Sequence, residues 1–225
     1  KVGFDGSEDG NWVWFIYTKS LSPCAFMWRL ANSKSLSLCR ARDDLEFSSG
    51  RKICVEWCMR IVNLNPSDDI GASSWFVEMD GHRILLDAGT HPKREGKEAL
   101  PLYGEIENES VDAIALSHCH HDHVGSLPVA LRQFPNAHVY MSELSYFLIE
   151  RVLHNSVNVM MRQREEFGIE EYPLYTHREV DDLAYLFQGC KYNREVPWSV
   201  TPHRGRAESP SPTLEFYDAG HALGS

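Results

Sequence analysis

Residues 117–125 read Ser117-His118-Cys119-His120-His121-Asp122-His123-Val124-Gly125. Four imidazoles and one carboxylate therefore fall within six consecutive positions. Such side chains are costly to crowd into a core, because each needs a polar partner or a shifted pKa to stay buried. A bound cation would satisfy them together. A histidine-rich surface tract without a site is the alternative, and the apolar run at residues 113–116 argues against it. The stretch predicts a metal site.

The spacing of these side chains indicates how they are arranged. If the stretch leaves a strand in extended form, His118 and His120 share a face, because side chains two residues apart point to the same side. Asp122 and His123 follow where Gly125 suggests a turn into a helix, so they can face the same cavity from another direction. Two ligand pairs suit two metal ions about 3.5–4 Å apart. Imidazole and carboxylate ligands without a thiolate pair favour zinc over manganese or iron.

Strand and helix patterns surround the cluster and predict its place in the fold. The pattern predicts strands at residues 59–65, 74–78, 83–86, 111–116, 137–141 and 213–217, and helices at 127–134, 142–167 and 177–189. The long helix is expected to begin at a Ser142 cap and to bury Leu144, Phe147, Leu148 and Val152 along one side. A strand, metal loop, helix and strand in this order place the ligands at the carboxyl edge of a sheet.

Two further stretches carry polar groups at strand ends. Residues 86–92 read Leu86-Asp87-Ala88-Gly89-Thr90-His91-Pro92, and residues 219–225 read Ala219-Gly220-His221-Ala222-Leu223-Gly224-Ser225. Taken alone, Asp87 could be a functional carboxylate or could only cap the turn that follows it.

These two stretches and the His-x-His-x-Asp-His pattern of residues 118–123 resemble, in order, three motifs of the metallo-β-lactamase superfamily. Their details, with the elements at residues 95–101, are most similar to its β-CASP group of RNA-processing nucleases, which includes the polyadenylation cleavage endonuclease and its prokaryotic relatives. The resemblance covers about residues 59–225. It implies an α+β fold, the αββα sandwich of the superfamily, of which this chain would hold the N-terminal part.

The resemblance also implies a role for each matching residue. His118, His120 and His221 would hold one zinc ion, whereas Asp122 and His123 would contribute to a second. Asp87 would brace the metal loop through hydrogen bonds, a contribution whose loss typically costs 10 to 100-fold in metal sites. In the complete enzyme, a metal-bound hydroxide would attack a phosphodiester of RNA, and Asp122 would orient the water and serve as the nearest general base.

The expected enzyme is incomplete in this chain. A bridging aspartate, a further histidine and the inserted β-CASP domain would all follow residue 225. We therefore expect one metal site to form from the three histidines. The sequence does not decide between endonuclease and exonuclease, nor does it give the oligomeric state. Two rivals remain open: another hydrolase of this superfamily acting on a thioester or lactone, and a non-catalytic scaffold relative.

Composition divides the chain at residue 58. The first 58 residues carry 8 basic and 7 acidic side chains, and the remainder carries 14 and 25, which together give the net charge of −10. So acidic a chain is not an obvious nucleic-acid binder, because phosphate contacts supply most non-specific affinity. We expect residues 1–58 to be an extension outside the catalytic fold and residues 59–225 to be a partial metallo-β-lactamase domain. No apolar run reaches the length of a membrane span, so the expected compartment is the cytoplasm and no membrane partner is expected.

Overall fold

The computed structural model describes residues 2–6, 12–16, 35–40, 57–67, 69–79, 81–198 and 213–225. Its centre is a seven-stranded mixed sheet with the strands in chain order. The strands of this sheet are β3 (Ser35–Arg40), β4 (Trp57–Asn63), β5 (Trp75–Met79), β6 (His82–Leu86), β7 (Ala113–Ala115), β8 (His138–Ser142) and β9 (Phe187–Cys190). Two hairpins accompany it: β1 (Val2–Gly6) with β2 (Trp12–Ile16), and β10 (Glu195–Pro197) with β11 (Thr213–Glu215).

The direction of the strands determines where loops can meet. Strands β3 to β6 pair antiparallel, whereas β6 to β9 pair parallel. The carboxyl ends of β6, β7, β8 and β9 therefore lie along one edge of the sheet. Loops that leave this edge are close together although they are distant in sequence, and open sheets bind ligands at this position.

Helices cover one face of the sheet. They are α1 (His121–Val124), α2 (Leu127–Gln133), α3 (Glu143–Phe167) and α4 (His177–Leu183), with short 3-10 turns at Gly96–Ala99, Tyr103–Ile106 and Ala184–Leu186. Alternate strand residues, such as Phe76 and Leu85, pack into the larger core with these helices. Their neighbours Val77 and Ile84 pack on the other face with Trp198 and Leu214 beside the β10–β11 hairpin. This alternation is the period of two that a sheet buried on both faces requires. The fold is α+β, as the sequence predicts.

The first predicted strand and the last predicted helix differ most from the sequence prediction. The first predicted strand begins at Trp57, and Ser35–Arg40 pairs antiparallel with it. The division at residue 58 therefore falls inside a strand, although the assignment of residues 1–58 as a separate extension stays a prediction. The helix expected to reach residue 189 ends at Leu183. Its predicted last turn is β9, because Phe187–Cys190 pairs with β8 and this pairing outweighs local helix preference.

The buried face of α3 is also not the one predicted. Phe147 is 76% exposed and Leu144 is 41% exposed. The buried side of the helix carries Ser145, Ile149, Leu153, Ser156, Val157 and Met160. The four apolar members of this side have the helical spacing of a core stripe, as the predicted residues do, so the local period alone does not decide which stripe meets the core. The two buried serines make specific hydrogen bonds with their hydroxyls. Ser142 does cap the helix, and its side chain accepts a hydrogen bond from the Ser145 N–H.

Among the described residues, no helix is both long and apolar enough to cross a membrane.

Candidate metal centre

Three loops meet at the carboxyl edge of the parallel strands. The first follows β6 and begins with Asp87. The second follows β7, begins at Ser117 and turns into α1. The third follows β11 and carries His221. These are the three stretches that the sequence singled out, and the fold brings them together.

Three histidines converge between the second and third loops. The ligand atoms of His118, His120 and His221 all lie within 4.8 Å of one another. The Nε2 atom of His118 is 3.0 Å from the Nδ1 atom of His120. The ring of His221 lies 5.0 Å from that of His118 and 5.1 Å from that of His120, measured between centroids. His118 is buried, whereas His120 and His221 are exposed, so the cluster opens to solvent on one side.

Hydrogen bonds fix the orientation of the His118 ring. Its Nδ1 atom lies 3.0 Å from the Ser117 hydroxyl oxygen, and that hydroxyl donates to Asp87 at 3.0 Å. Ser117 therefore accepts from Nδ1–H, and this tautomer places the lone pair of His118 on Nε2, toward the other histidines. Burial, followed by the neighbouring His123, lowers the pKa of His118 to about 4. A neutral imidazole is the form that binds a metal.

Asp87 joins the first loop to the second through hydrogen bonds of its carboxylate. It is fully buried and has a positive φ of 62°, a conformation that aspartate tolerates better than most residues. Its carboxylate accepts from the Ser117 N–H at 2.8 Å, the Ser117 hydroxyl at 3.0 Å and the His123 Nδ1 at 2.7 Å. The bracing position expected for Asp87 is thus present in the structure, and its functional role stays a prediction.

His123 and Asp122 lie beside the three-histidine cluster. The ring of His123 is 4.2 Å from that of His118. Because Nδ1 of His123 donates to Asp87, its Nε2 carries the lone pair, and this atom is 3.7 Å from Asp122 Oδ2. Burial lowers the pKa of His123, but the charge and hydrogen bond of Asp87 outweigh this effect, so the net shift is upward. Asp122 and His123 therefore form a neighbouring pair of potential ligands and are not part of the three-donor group.

Main-chain hydrogen bonds bind the first loop to α1. The Ala88 N–H donates to the His123 carbonyl at 2.8 Å, and the Ser73 N–H donates to the Asp122 carbonyl at 2.9 Å. Gly89 makes this approach possible, because a Cβ atom there would lie 1.6 Å from the Asp122 carbonyl oxygen. The first motif thus contributes backbone shape as well as the Asp87 carboxylate.

His121 points away from the metal side of α1. Its Nδ1 contacts the Thr90 hydroxyl, and its Nε2 lies 2.9 Å from the Ser156 hydroxyl of α3. Gly125 leaves room for this ring, since a Cβ there would lie 2.1 Å from the His121 Nδ1. His121 therefore joins the first loop to α3, which explains a fourth histidine in the stretch without a ligand role.

The sequence profile of the metallo-beta-lactamase superfamily matches residues 68–209, more than half of the chain. The chain belongs to the metallo-beta-lactamase superfamily. This match contains the Asp87 loop and the whole residue 117–125 stretch on which the geometry above depends. His221 lies outside the matched range, and its position beside His118 and His120 comes from the structure.

Curated relatives of this superfamily member include RNA-processing proteins. The chain is 26% identical over 181 residues to the endoribonuclease ysh1 of Schizosaccharomyces pombe, covering 80% of this chain and 22% of the relative. It is also 26% identical over 166 residues to the cleavage and polyadenylation specificity factor subunit 3-I of Arabidopsis thaliana, covering 73% and 22%. The chain thus spans about a fifth of the length of these relatives. Among solved structures, a dizinc quorum-quenching lactonase, AidC, matches with a TM-score of 0.35 at 15% identity over 64% of this chain and 46% of that one.

The superfamily implies a divalent metal, and the three histidines fit one. Ligand nitrogens about 2.0–2.1 Å from a tetrahedral metal are about 3.3 Å apart from each other. The 3.0 Å between His118 and His120 is close to this spacing, and the ligand atom of His221 completes a group within 4.8 Å. The hydrogen bond that fixes the His118 tautomer is the kind of outer contact that metal-binding histidines make.

The sequence missed the groups that hold the site together. Ser117 precedes the cluster directly and bridges Asp87 to His118, but an isolated serine carries no signal of this role. Ser142 and Ser145 contact the third loop from the start of α3. A serine at a helix N-cap is a recognisable signal, but it points to capping and not to a distant loop.

Proposed function

We propose that this protein is a zinc-dependent phosphodiester hydrolase that acts on RNA. The observation that carries the proposal is the convergence of His118, His120 and His221 in a chain whose curated relatives are named endoribonucleases. An RNA substrate and a β-CASP type of nuclease are carried over from those relatives.

Zinc is the metal we propose. Three imidazole nitrogens with an open side correspond to catalytic zinc sites, which use three protein ligands and keep one position for water or substrate. When bound, such a metal would lower the pKa of its water to about 7 and polarise a phosphoryl oxygen. His118, His120 and His221 would hold this metal, and His123 Nε2 with Asp122 would contribute to a second.

The remaining roles belong to two carboxylates. The Asp122 side chain is 27% exposed, and its carboxylate would accept a proton from an attacking water. Asp87 is buried and has its lone pairs engaged by Ser117 and His123, so it positions ligands and does not exchange protons with substrate. We therefore propose that Asp122 is the proton acceptor and that Asp87 positions the ligand side chains.

The net charge bears on how RNA would be bound. The chain has a net charge of −10, and its 22 basic side chains are outnumbered by 32 acidic ones. We therefore propose that the scissile phosphate is held chiefly at the metal centre. Binding of uncleaved RNA by this chain alone should accordingly be weak. The cytoplasmic location stays a prediction from composition.

The test uses the zinc-loaded protein, in its full natural length, with end-labelled and internally labelled RNA. We expect Asp122→Ala and His221→Ala to abolish cleavage, whereas Asp182→Ala, which removes an exposed carboxylate of α4, should not. Internal products at short times would indicate an endonuclease, and single nucleotides an exonuclease. Loss of thioester or lactone hydrolysis in the same variants, with RNA left intact by the wild type, would overturn the RNA substrate. Bound zinc without any hydrolysis would favour a scaffold.

A further inference from the structure

Two serine hydroxyls at the start of α3 converge on one carbonyl of the third loop. The Ser142 hydroxyl donates to the Gly224 carbonyl at 2.6 Å, and the Ser145 hydroxyl donates to the same oxygen at 3.0 Å. Both serines are buried, with exposed fractions of 1% and 0%. A carbonyl oxygen has two lone pairs, so these two donors satisfy it completely. The contact joins residues that are about 80 positions apart in the chain.

The backbone of the third loop is shaped for this contact. Gly224 has a φ of +89°, which side chains rarely allow. A Cβ there would lie 2.6 Å from the Ser145 hydroxyl oxygen and 2.7 Å from its main-chain nitrogen. Glycine is therefore required both by the conformation and by the close approach to α3.

The turn that contains Gly224 also holds the main chain of His221 through hydrogen bonds between nearby residues. The Ser225 hydroxyl oxygen accepts from the His221 N–H at 3.1 Å and from the Ala222 N–H at 2.9 Å. The Ser225 hydroxyl donates to the Ala222 carbonyl at 2.8 Å. The loop is thus a closed turn in which His221 is held three residues from the docked carbonyl.

Ser145 also reaches the second loop. Its main-chain carbonyl accepts a hydrogen bond from the Cys119 thiol, with 3.4 Å between sulfur and oxygen. Cys119 lies between His118 and His120, so it points away from the side on which those histidines meet. The first turn of α3 consequently contacts both loops that supply the histidine cluster.

We propose that Ser142 and Ser145 are positioning residues that set His221 against His118 and His120. The second loop supplies two histidines with a fixed relation, whereas the third comes from a separate segment and has to be brought to them. The Gly224 contact holds the third loop in place. Ser145 contacts both histidine loops, so both are fixed to the same turn of α3. This inference rests on the proposed metal site, and it assigns no contact with metal or substrate to either serine.

Three substitutions separate positioning from helix stability. Ser142 also caps α3, so Ser142→Asp and Ser142→Thr are compared: both side chains can accept from the Ser145 N–H, but only threonine retains a hydroxyl donor for Gly224. Ser145→Ala removes the second donor and leaves the cap intact. Ser126→Ala is the matched control: the hydroxyl of this buried serine lies 2.8 Å from that of Tyr103, and its main-chain N–H, which donates to the Ala88 carbonyl, is retained in alanine.

Cobalt(II) binding and histidine NMR provide the readouts. We expect Ser142→Asp and Ser145→Ala to weaken Co²⁺ binding 10 to 100-fold and to change its visible absorption, whereas Ser142→Thr and Ser126→Ala bind as the wild type does. In the metal-free chain, the imidazole resonances of His221 should move more than those of His118. A Ser145→Ala chain with unchanged Co²⁺ affinity and unchanged His221 resonances would overturn the inference. Failure of the wild type to bind Co²⁺ would instead refute the metal site, and the metal-free resonances would still test the positioning.

Discussion

Replacing Gly89 with alanine is the sharpest test of how the first loop supports the metal centre. A Cβ atom at this position would lie 1.6 Å from the Asp122 carbonyl oxygen and 2.9 Å from the His123 main-chain nitrogen. The φ angle of Gly89 is not among the positive ones, so alanine can adopt the backbone conformation. The cost is therefore steric and falls directly on the backbone of the metal loop.

The structure gives the size of the displacement. Real Cβ atoms essentially never come within 3.0 Å of such neighbours, so the two loops must separate by at least about 1.4 Å beyond the 1.6 Å contact. That movement breaks the three main-chain bonds that join the two loops directly, which are Ala88 N–H to the His123 carbonyl, Thr90 N–H to the His121 carbonyl and Ser126 N–H to the Ala88 carbonyl. At about 0.5–1.5 kcal/mol each, their loss lowers the free energy of unfolding by about 1.5–4.5 kcal/mol. The shift also exceeds the roughly 0.2 Å tolerance of metal–ligand distances several-fold.

Urea unfolding and zinc competition with a chelator measure the two effects. Gly89→Ala should have a free energy of unfolding about 1.5–4.5 kcal/mol lower than the wild type, and its zinc affinity should fall more than 100-fold. Gly104→Ala is the matched control, since a Cβ there meets nothing within 4 Å, and it should change neither quantity appreciably. A Gly89→Ala chain with wild-type stability and wild-type zinc affinity would refute the packing of these loops.

Two further predictions concern the charged groups of the site. Asp87→Asn keeps the left-handed backbone but presents an N–H₂ group to the Ser117 hydroxyl or the His123 Nδ1–H. We therefore expect zinc affinity to fall 10 to 100-fold, which is about 1.4–2.7 kcal/mol. ¹⁵N NMR should show His123 in the other tautomer, and an unchanged tautomer would contradict this. His118 has a pKa of about 4 in the folded chain against an ordinary 6.5, so as the pH falls the unfolded chain takes up this proton before the folded chain does. The free energy of unfolding of the metal-free protein should therefore fall by up to about 3 kcal/mol between pH 6.5 and pH 4. His118→Asn should show a smaller pH-dependent loss in urea titrations, and equal losses would count against the assignment.

The chemistry of the site could be predicted from residue types. Crowded imidazoles and carboxylates each need a polar partner, so the spacing of His118, His120 and Asp122 alone predicted a shared site, and their roles as metal ligands stay a prediction. His221 was recognisable only through its resemblance to a family motif, because a single histidine near Gly220 and Gly224 has no distinctive physical pattern. The structure then places it within 4.8 Å of the other two ligand atoms.

The fold was predictable where local patterns and tertiary pairing agree. Two apolar runs separated by a turn signal predicted β5 and β6, and the Ser142 cap predicted the start of α3 at its observed residue. The pattern failed at residues 187–190, where an amphipathic helix period continued into a strand. Pairing of Phe187–Cys190 with β8 is a contact distant in sequence, and no local period reports it.

The prediction for α3 failed for a different physical reason. Apolar content favoured a face with Leu144 and Phe147, but both are exposed. The side that is buried includes Ser145 and Ser156, which a hydrophobic pattern counts as solvent-facing. Serine can be buried at little cost when its hydroxyl has a partner, and here the partners are Gly224 and His121. The face was wrongly predicted because α3 carries two apolar stripes with helical spacing and only tertiary contact selects one, whereas the anchoring of the histidine loops was missed because serine carries no hydrophobic signal.

The placement of the ligands depends on groups that every sequence contains. Main-chain N–H and C=O groups join Ala88 to His123 and Ser73 to Asp122, and their partners are set by the fold and not by residue type. Gly89 and Gly224 mark two of these approaches, because only the absence of a Cβ lets the backbones meet. A variant that keeps all five candidate ligands but alters either glycine should consequently lose the metal centre. We therefore expect that the candidate ligand residues alone would not preserve metal binding in such a variant.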